Sequence, residues 1–204
     1  MRIGWLVSTI VGLAAWAPGR ASAEVEGAAS ETVWLGGSVG VSPVGSLKIS
    51  SQGAEFTTDT ATAYQVNALV DFHLAPAVSL GFAPGLLFNV KGNTGTESAT
   101  MIDLPVRLAI GGLVAPSLRI YGFASPGYAF LLLPSNNGGG EVPTPSGFMI
   151  GFGGGLQVRV APKLAITGEL GYQYRFTSAS QDGIDGSFQV DYLTFAIGLA
   201  GPVN

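Results

Sequence analysis

The stretch from residue 160 to residue 176 is Val160-Ala161-Pro162-Lys163-Leu164-Ala165-Ile166-Thr167-Gly168-Glu169-Leu170-Gly171-Tyr172-Gln173-Tyr174-Arg175-Phe176. After the proline, apolar residues alternate with small, polar or charged residues. This alternation has the two-residue period of a β-strand, in which successive side chains point to opposite faces of the sheet. The sequence therefore predicts a strand with one apolar face and one face that carries small residues and charges.

Alanine-proline pairs separate neighbouring strands of this kind at three places, which are Leu74-Ala75-Pro76, Val114-Ala115-Pro116 and Val160-Ala161-Pro162. Proline favours the torsion angle of a turn and lacks the N–H group that a central strand donates. We therefore predict a tight hairpin turn at each pair. The segments between the hairpins are rich in glycine, serine, threonine, asparagine and aspartate, and they predict longer loops near residues 43–61, 92–98, 133–146 and 177–188.

Alternating segments of this type follow one another along most of the chain. Short turns at one end and long loops at the other are typical of an up-and-down β-barrel. The sequence predicts an all-β fold, an eight-stranded antiparallel up-and-down transmembrane β-barrel that follows an N-terminal signal peptide. The predicted strands lie near residues 32–42, 62–74, 77–90, 99–111, 117–131, 147–160, 163–176 and 189–200.

The fifth predicted strand is ambiguous. Leu118 and Ile120 have one parity, whereas Arg119, Tyr121 and Phe123 have the other, so both faces carry bulky residues. A β-bulge near residue 122 would bring the apolar residues to one face, because a bulge inserts one extra residue into a strand.

The apolar face of the predicted barrel is expected to point outward. Charged residues make up only 11% of the chain, against about 25% in soluble domains. An eight-stranded barrel has an interior just wide enough for side chains, so several bulky residues from every strand would crowd it. An arginine that faced lipid would cost up to about 2–4 kcal/mol at the midplane. The barrel is therefore predicted to be inverted relative to a soluble one.

The charged residues on the opposite face predict a polar network in the lumen. Arg107 and Glu169 lie at similar distances from their nearest Ala-Pro turns, so we expect them to meet, with Asp71 nearer the turns. We predict a salt-bridged plug, and the alternative is that these groups are solvated in a narrow water-filled lumen. The predicted network comprises Asp71, Asp103, Arg107, Arg159, Glu169, Gln173 and Arg175.

Residues 1–23 have the features of a secretory signal peptide. Arg2 precedes an apolar run from residue 3 to residue 17, and Ala21-Ser22-Ala23 is a small-residue cleavage site. The run is shorter than the roughly 20 residues that a membrane-spanning helix needs. We therefore expect residues 1–23 to be removed and residues 24–204 to form the barrel domain.

The sequence offers no convincing catalytic, cofactor or metal site. His73 is the only histidine, and the glycine-rich segment 151–155 lacks the Lys-Ser/Thr pair of a phosphate-binding loop. The net charge of −4 gives no basic footprint for nucleic acid. We therefore expect no enzymatic activity, no cofactor and no nucleic-acid partner.

Three segments carry a resemblance to a known group of proteins, and they are Ile102-Asp103-Leu104-Pro105-Val106-Arg107, Tyr121-Gly122-Phe123-Ala124-Ser125-Pro126-Gly127-Tyr128 and Gly151-Phe152-Gly153-Gly154-Gly155-Leu156. Together with the signal peptide and the alternating strands, they resemble the small outer-membrane β-barrels of Gram-negative bacteria, such as the OmpA transmembrane domain and OmpX. The resemblance implies export through the periplasm, insertion by the outer-membrane machinery, and contact with outer-membrane lipid and lipopolysaccharide.

The function expected from this resemblance is a structural or surface-interaction role. Its extracellular loops would contact a host or surface ligand, and the lumen would be plugged by side chains. The first alternative is a narrow pore or transporter of a ligand or solute. The second is a soluble lipocalin-like binder in the periplasm.

Overall fold

The computed structural model describes residues 33–133, 144–181 and 184–203. The predicted signal peptide and residues 134–143 of the third predicted loop lie outside these ranges. No helix among the described residues has the length and apolar character needed to cross a membrane. The described strands are β1 (Val33–Ser51), β2 (Ala54–Asp59), β3 (Ala63–Ala75), β4 (Val78–Phe82), β5 (Gly85–Val90), β6 (Ala99–Ala115), β7 (Leu118–Leu132), β8 (Ser146–Ala161), β9 (Leu164–Gln181) and β10 (Ile184–Val203).

The strands close into a ring in which every described pairing is antiparallel. β1 pairs with β10 on one side, from Val33↔Val203 to Ser51↔Gly186, and with β3 on the other. The ring then runs through β4 and β5, β6, β7, β8 and β9 back to β10. Because closure leaves no open edge within the ring, the backbone N–H and C=O groups are paired without water. The predicted all-β, antiparallel, up-and-down barrel is confirmed.

The described residues contain ten strands rather than the eight predicted. β2 projects beyond the closed part of the ring on the same side of β1 as β3, and among the described strands it pairs with β1 alone. The predicted strand at 77–90 is divided at Ala83-Pro84 into β4 and β5, which share one position between β3 and β6. Pro84 has no N–H to donate, which explains the interruption.

The Ala-Pro turns are confirmed as two-residue connections at 76–77, 116–117 and 162–163. The predicted loops at 43–61 and 177–188 are wrong, because they are largely extensions of β1, β9 and β10 together with β2. These extensions carry serine, threonine and glycine on both faces. A few of their side chains, such as Leu47 and Thr177, are buried, but the extensions lack a regular apolar alternation, so their sequence resembles a loop.

The ambiguity of the fifth predicted strand is resolved without a bulge near residue 122. β7 keeps one register with β8 from Leu118↔Val158 to Phe130↔Ser146. Arg119 and Tyr121 are buried inside the barrel, whereas Ile120 is 52% exposed on the outside. β7 therefore carries large side chains on both faces without a register shift against β8. The inward Tyr121 side chain finds room because β8, the neighbouring strand, has a glycine opposite it.

The apolar face points outward, as predicted. Leu104, Phe195 and Ile197 are 38%, 45% and 61% exposed, whereas Asp103 and Arg175 are buried in the lumen. This arrangement is the inverse of a soluble binding barrel, whose apolar face lines the interior. It therefore excludes the lipocalin-like alternative.

The lumen of the barrel as the candidate functional site

A buried ion pair crosses the lumen between β6 and β9, which are not neighbours in the ring. Arg175 Nε donates to Asp103 Oδ1 at 2.9 Å and to Oδ2 at 3.0 Å, and Arg175 Nη2 donates to Oδ2 as well. Arg175 Nη2 also donates to the side-chain oxygen of Gln173. Because the Arg175 side chain is fully buried, these charge-assisted hydrogen bonds replace its hydration. This pair ties opposite walls of the barrel together.

A second ion pair joins the same two strands nearer the Ala-Pro turns. Arg107 Nη2 donates to Glu169 Oε1 at 2.6 Å, and the Tyr121 hydroxyl donates to the same oxygen at 2.7 Å. The Arg107 guanidinium carbon lies 4.5 Å from the ring centroid of Phe123 and 5.5 Å from that of Tyr121. Cation–π attraction therefore adds to the ion pair. The guanidinium is held between a carboxylate and two aromatic rings.

The glycines of β8 make space for these rings. Tyr121 and Phe123 are the cross-strand partners of Gly155 and Gly153. A methyl group on Gly155 would lie 2.7 Å from the Tyr121 ring, and one on Gly153 would lie 2.9 Å from Phe123. Gly153 and Gly155 are therefore a packing feature of the lumen wall.

Gly155→Ala is expected to lower the free energy of unfolding by about 1–3 kcal/mol, the usual cost of overpacking a filled interior. The Tyr121 ring cannot move aside freely, because its hydroxyl is bonded to Glu169. Gly154→Ala is the matched control, since its new methyl group meets its nearest atom at 3.4 Å. Denaturant unfolding in detergent micelles would measure both variants. Equal stabilities for the two would contradict this account of the glycines.

The turn end of the lumen holds a third polar group. Ser79 donates to Asp71 Oδ2 at 2.9 Å, and Arg119 Nη1 donates to His73 Nε2 at 3.1 Å. The Arg159 side chain is exposed at this end and lies over the Trp34 ring, 5.5 Å from its centroid. Among the described residues, no three metal-binding side chains come together.

The structure brings five of the seven predicted network residues together in two groups and places the other two elsewhere in the barrel. Arg175, Asp103 and Gln173 form one group, and Arg107 and Glu169 form the second. Asp71 bonds to Ser79 rather than to Arg107, and Arg159 lies at the rim, where its side chain is exposed. Sequence reasoning missed Arg119 and Tyr121 as lumen residues, because it left the parity of β7 undecided.

A cluster of large apolar side chains closes the lumen at the end opposite the Ala-Pro turns. Along β6, Met101 lies farther from the turn than Asp103, and Met149 and Val190 are the cross-strand partners of Arg175, so the cluster packs around the Arg175–Asp103 pair and beyond it. Sequence reasoning missed this cluster, although each of its members has the parity of the inner face. The apolar plug, as we name this cluster, consists of Leu87, Met101, Leu131, Met149, Val190 and Tyr192.

Two small cavities lie between these layers. One of about 70 Å³ lies between the two ion pairs and is lined by Gln65, Asn67 and Ser125 among others. A second, of about 20 Å³, lies on the turn side of Arg107, beside Asp71 and Arg119. The volumes correspond to a few water molecules. Both are lined by Arg107, which lies between them.

Comparison with known proteins supports the fold. The sequence from residue 5 to residue 200 matches the family described as outer membrane protein beta-barrel domain. No curated protein matches the chain. OprG from Pseudomonas aeruginosa is similar in structure, with a TM-score of 0.58, 16% identity, and coverage of 85% of this chain and 96% of OprG.

Two further solved structures are similar. The outer membrane protein AlkL has a TM-score of 0.56 and 10% identity, with 92% of this chain and 95% of AlkL covered. Neisserial surface protein A has a TM-score of 0.54 and 12% identity, with 84% of this chain and 97% of that protein covered. Together with the outward apolar face and the closed ring, the family match shows that this chain belongs to the outer membrane protein beta-barrel domain family and is a protein of the bacterial outer membrane.

Proposed function

We propose that this protein has a structural and surface-interaction role in the outer membrane, with a lumen that does not conduct solutes. Its outward apolar face contacts lipid and lipopolysaccharide, and the hairpins opposite the Ala-Pro turns face the exterior and contact a host or surface ligand. The role is not enzymatic, and insertion depends on the outer-membrane assembly machinery. The observation that carries the proposal is that two ion pairs cross the lumen and that the apolar plug packs against the one farther from the Ala-Pro turns.

The closed lumen follows from the energies of the groups that fill it. A solute would have to separate Arg175 from Asp103 and Arg107 from Glu169, and each separation leaves an unpaired charge in a confined space. It would also have to displace the apolar plug, whose members are almost completely buried. The alternative of a narrow pore rests on the 70 Å³ polar cavity, which those same groups separate from both ends of the barrel.

We expect the purified protein to show little or no conductance in planar lipid bilayers, because the two ion pairs and the apolar plug fill the lumen. Single-channel recording and liposome swelling would measure this. A triple variant of the apolar plug, Met101→Gly, Met149→Gly and Leu87→Gly, is the positive comparison and should pass more ions. A large and steady current through the unaltered protein would contradict the sealed lumen and favour the narrow-pore alternative.

The orientation gives a second prediction. In this architecture, short turns face the periplasm and longer connections face the exterior. An epitope inserted between Gln52 and Gly53 should therefore bind antibody on intact cells, whereas one inserted between Pro116 and Ser117 should bind only after the outer membrane is permeabilised. The opposite pattern of labelling would overturn the proposed orientation.

We also propose that residues 1–23 are removed on export and that residues 24–204 form the mature barrel domain. The small-residue site Ala21-Ser22-Ala23 supports this cleavage. N-terminal sequencing of the protein from outer-membrane fractions should begin at Glu24. Recovery of the intact N-terminus in that fraction would contradict the proposal.

A further inference from the structure

The β1–β2 hairpin presents a backbone edge outside the ring. Gln52 and Gly53 connect the two strands and both have positive φ angles, of 50° and 81°, as in a type I′ turn. In such a hairpin the residues that flank the turn exchange backbone hydrogen bonds, and bonded pairs then recur at every second residue. The bonded positions of β2 are therefore 54, 56 and 58.

The alternate positions of β2 point their backbone groups away from β1. The pattern is supported at the end of the hairpin, where Thr60 N donates to Gly45 O at 3.0 Å. It is supported on the other side as well, because Asn93 N donates to Asp59 O at 2.8 Å. The N–H and C=O groups of Glu55 and Thr57 therefore face the open edge, and no described strand pairs with them there.

Residues 91–93 of the chain pair with the end of this edge, at residues 59–61, as a short additional strand would. Gly92 bridges Thr60 in antiparallel sense, and Ala61 N donates to Lys91 O at 3.0 Å. The segment turns away after Asn93. The edge at Glu55 and Thr57 thus continues a ladder whose first pairs are formed by the protein itself, so an added strand would need no rearrangement of β2.

The two faces of β2 differ in chemistry. Glu55, Thr57 and Asp59 share one face, on which Lys48 Nζ lies 2.8 Å from Glu55 Oε1. Phe56 lies on the other face and is 58% exposed. A strand added at this edge would meet carboxylates on one face and an aromatic ring on the other. Opposite charges and aromatic or β-branched neighbours are the favourable cross-strand pairs.

A second copy of this edge is a poor occupant. Because Asn93 occupies the position opposite Asp59, two β2 strands could pair only with Glu55 of each opposite Thr57 of the other. Glu55 of one copy would then be the diagonal neighbour of both Glu55 and Asp59 of the other, within reach of these side chains, and like charges repel. The charge pattern therefore disfavours self-association and favours a basic partner.

We propose that the open edge of β2 binds an extended polypeptide segment in which basic residues alternate with apolar residues, by adding it to the sheet as a further strand. Backbone hydrogen bonds to Glu55 and Thr57 hold the segment, and its apolar residues lie beside Phe56. Asn93 already occupies the position opposite Asp59, so the basic residues lie opposite Glu55 and Thr57 and reach Asp59 diagonally. The biological setting of this binding rests on the proposed function, which puts the hairpin on the cell exterior.

The test uses the purified full-length protein in detergent micelles and a fluorescent peptide of alternating lysine and valine, with binding followed by anisotropy. Thr57→Pro removes an N–H that faces the open edge and leaves the pairing with β1 in place, because proline is tolerated at that side of an edge strand. We expect about a tenfold loss of affinity relative to Thr57→Val, which keeps the N–H and a similar shape. Electrophoretic mobility would check that both variants are folded.

The charge requirement is tested separately. Glu55→Gln combined with Asp59→Asn should weaken binding of the lysine peptide and reduce its dependence on salt concentration, since exposed charges are screened by salt. A peptide of alternating glutamate and valine should not bind. Equal affinities of Thr57→Pro and Thr57→Val, equal binding of both peptides, or sedimentation as a dimer joined at β2 would each overturn the proposal. Because purified protein is used, failure here is distinct from failure of the cell-surface labelling, which tests the orientation alone.

Discussion

Asp103→Leu is expected to lower the free energy of unfolding by about 3–5 kcal/mol, the cost of removing one partner of a buried ion pair. Arg175 is fully buried and donates two of its N–H groups to Asp103. Without that carboxylate, Arg175 keeps its hydrogen bond to the Gln173 side-chain oxygen, which carries no charge. The positive charge would then be held in the lumen without compensation. Urea unfolding in detergent micelles, followed by tryptophan fluorescence, would measure the loss.

The double variant Asp103→Leu with Arg175→Met separates the charge from the packing. Replacing both members of a buried pair by apolar residues of similar volume is often neutral or stabilising, so the double variant should recover most of the lost stability. Lys48→Ala is the matched control, because it breaks an exposed pair worth about 0–1 kcal/mol. A loss in Asp103→Leu no larger than that of Lys48→Ala would contradict a sealed ion pair.

Val106→Arg is expected to destabilise the protein by about 2–4 kcal/mol, the cost of an arginine on the lipid face near the bilayer midplane. Val106 lies midway along the outward face of β6 and is 49% exposed. In a soluble protein, a substitution at such an exposed position usually changes the stability little. The large loss expected here is therefore specific to a lipid-facing position. Denaturant unfolding of the protein in lipid vesicles would measure the loss of stability, because the loss arises from contact between the arginine and the lipid.

The matched control for Val106→Arg is Thr57→Arg. Thr57 is also exposed on a strand, but its strand, β2, projects beyond the closed ring. An arginine at this position would lie on the same face as Glu55. The control should leave the stability of the barrel unchanged within about 0.5 kcal/mol. If Val106→Arg were as stable as the control in vesicles, the outward face would not be in contact with lipid.

The alternation of the sequence was sufficient to predict the ring and its inversion. Leu104 and Arg107 have opposite parities on one strand, and only one orientation keeps the arginine away from lipid. The same reasoning predicted the contact between Arg107 and Glu169, which the structure brings to 2.6 Å. Depth counted from a turn is a reliable coordinate here, since strands rise by a nearly constant distance per residue.

Three features were beyond that reasoning for physical reasons. β2 carries Glu55, Phe56 and Thr57 in water, where no lipid face imposes a pattern. The parity of β7 depends on Gly153 and Gly155 of the neighbouring strand, which alone show that Tyr121 and Phe123 can point inward. The partner of Arg175 could not be chosen from parity, because several carboxylates share the inner face and only the packed lumen decides among them.

The apolar plug was missed although its members were visible in the sequence. Met101 and Met149 have the parity of the inner face, but each is a single apolar residue among small and charged ones. These residues form a plug only because apolar side chains from β5, β6, β7, β8 and β10 meet in one cluster in the lumen. The number of residues between each inward apolar side chain and its nearest Ala-Pro turn predicts that these side chains meet, just as it predicts the contact of Arg107 with Glu169.

The central claim is that the apolar face contacts lipid while the ionic groups are enclosed. The chain has no cysteine, so single-cysteine variants along β6 can each carry one spin label, at positions 104, 106 and 108 on the outside and at 103 and 109 on the inside. Collision rates with membrane-dissolved oxygen, measured by electron paramagnetic resonance in lipid vesicles, should be high at the even positions and low at the odd ones. High rates at 103 and 109, with low rates at 104, 106 and 108, would contradict the account.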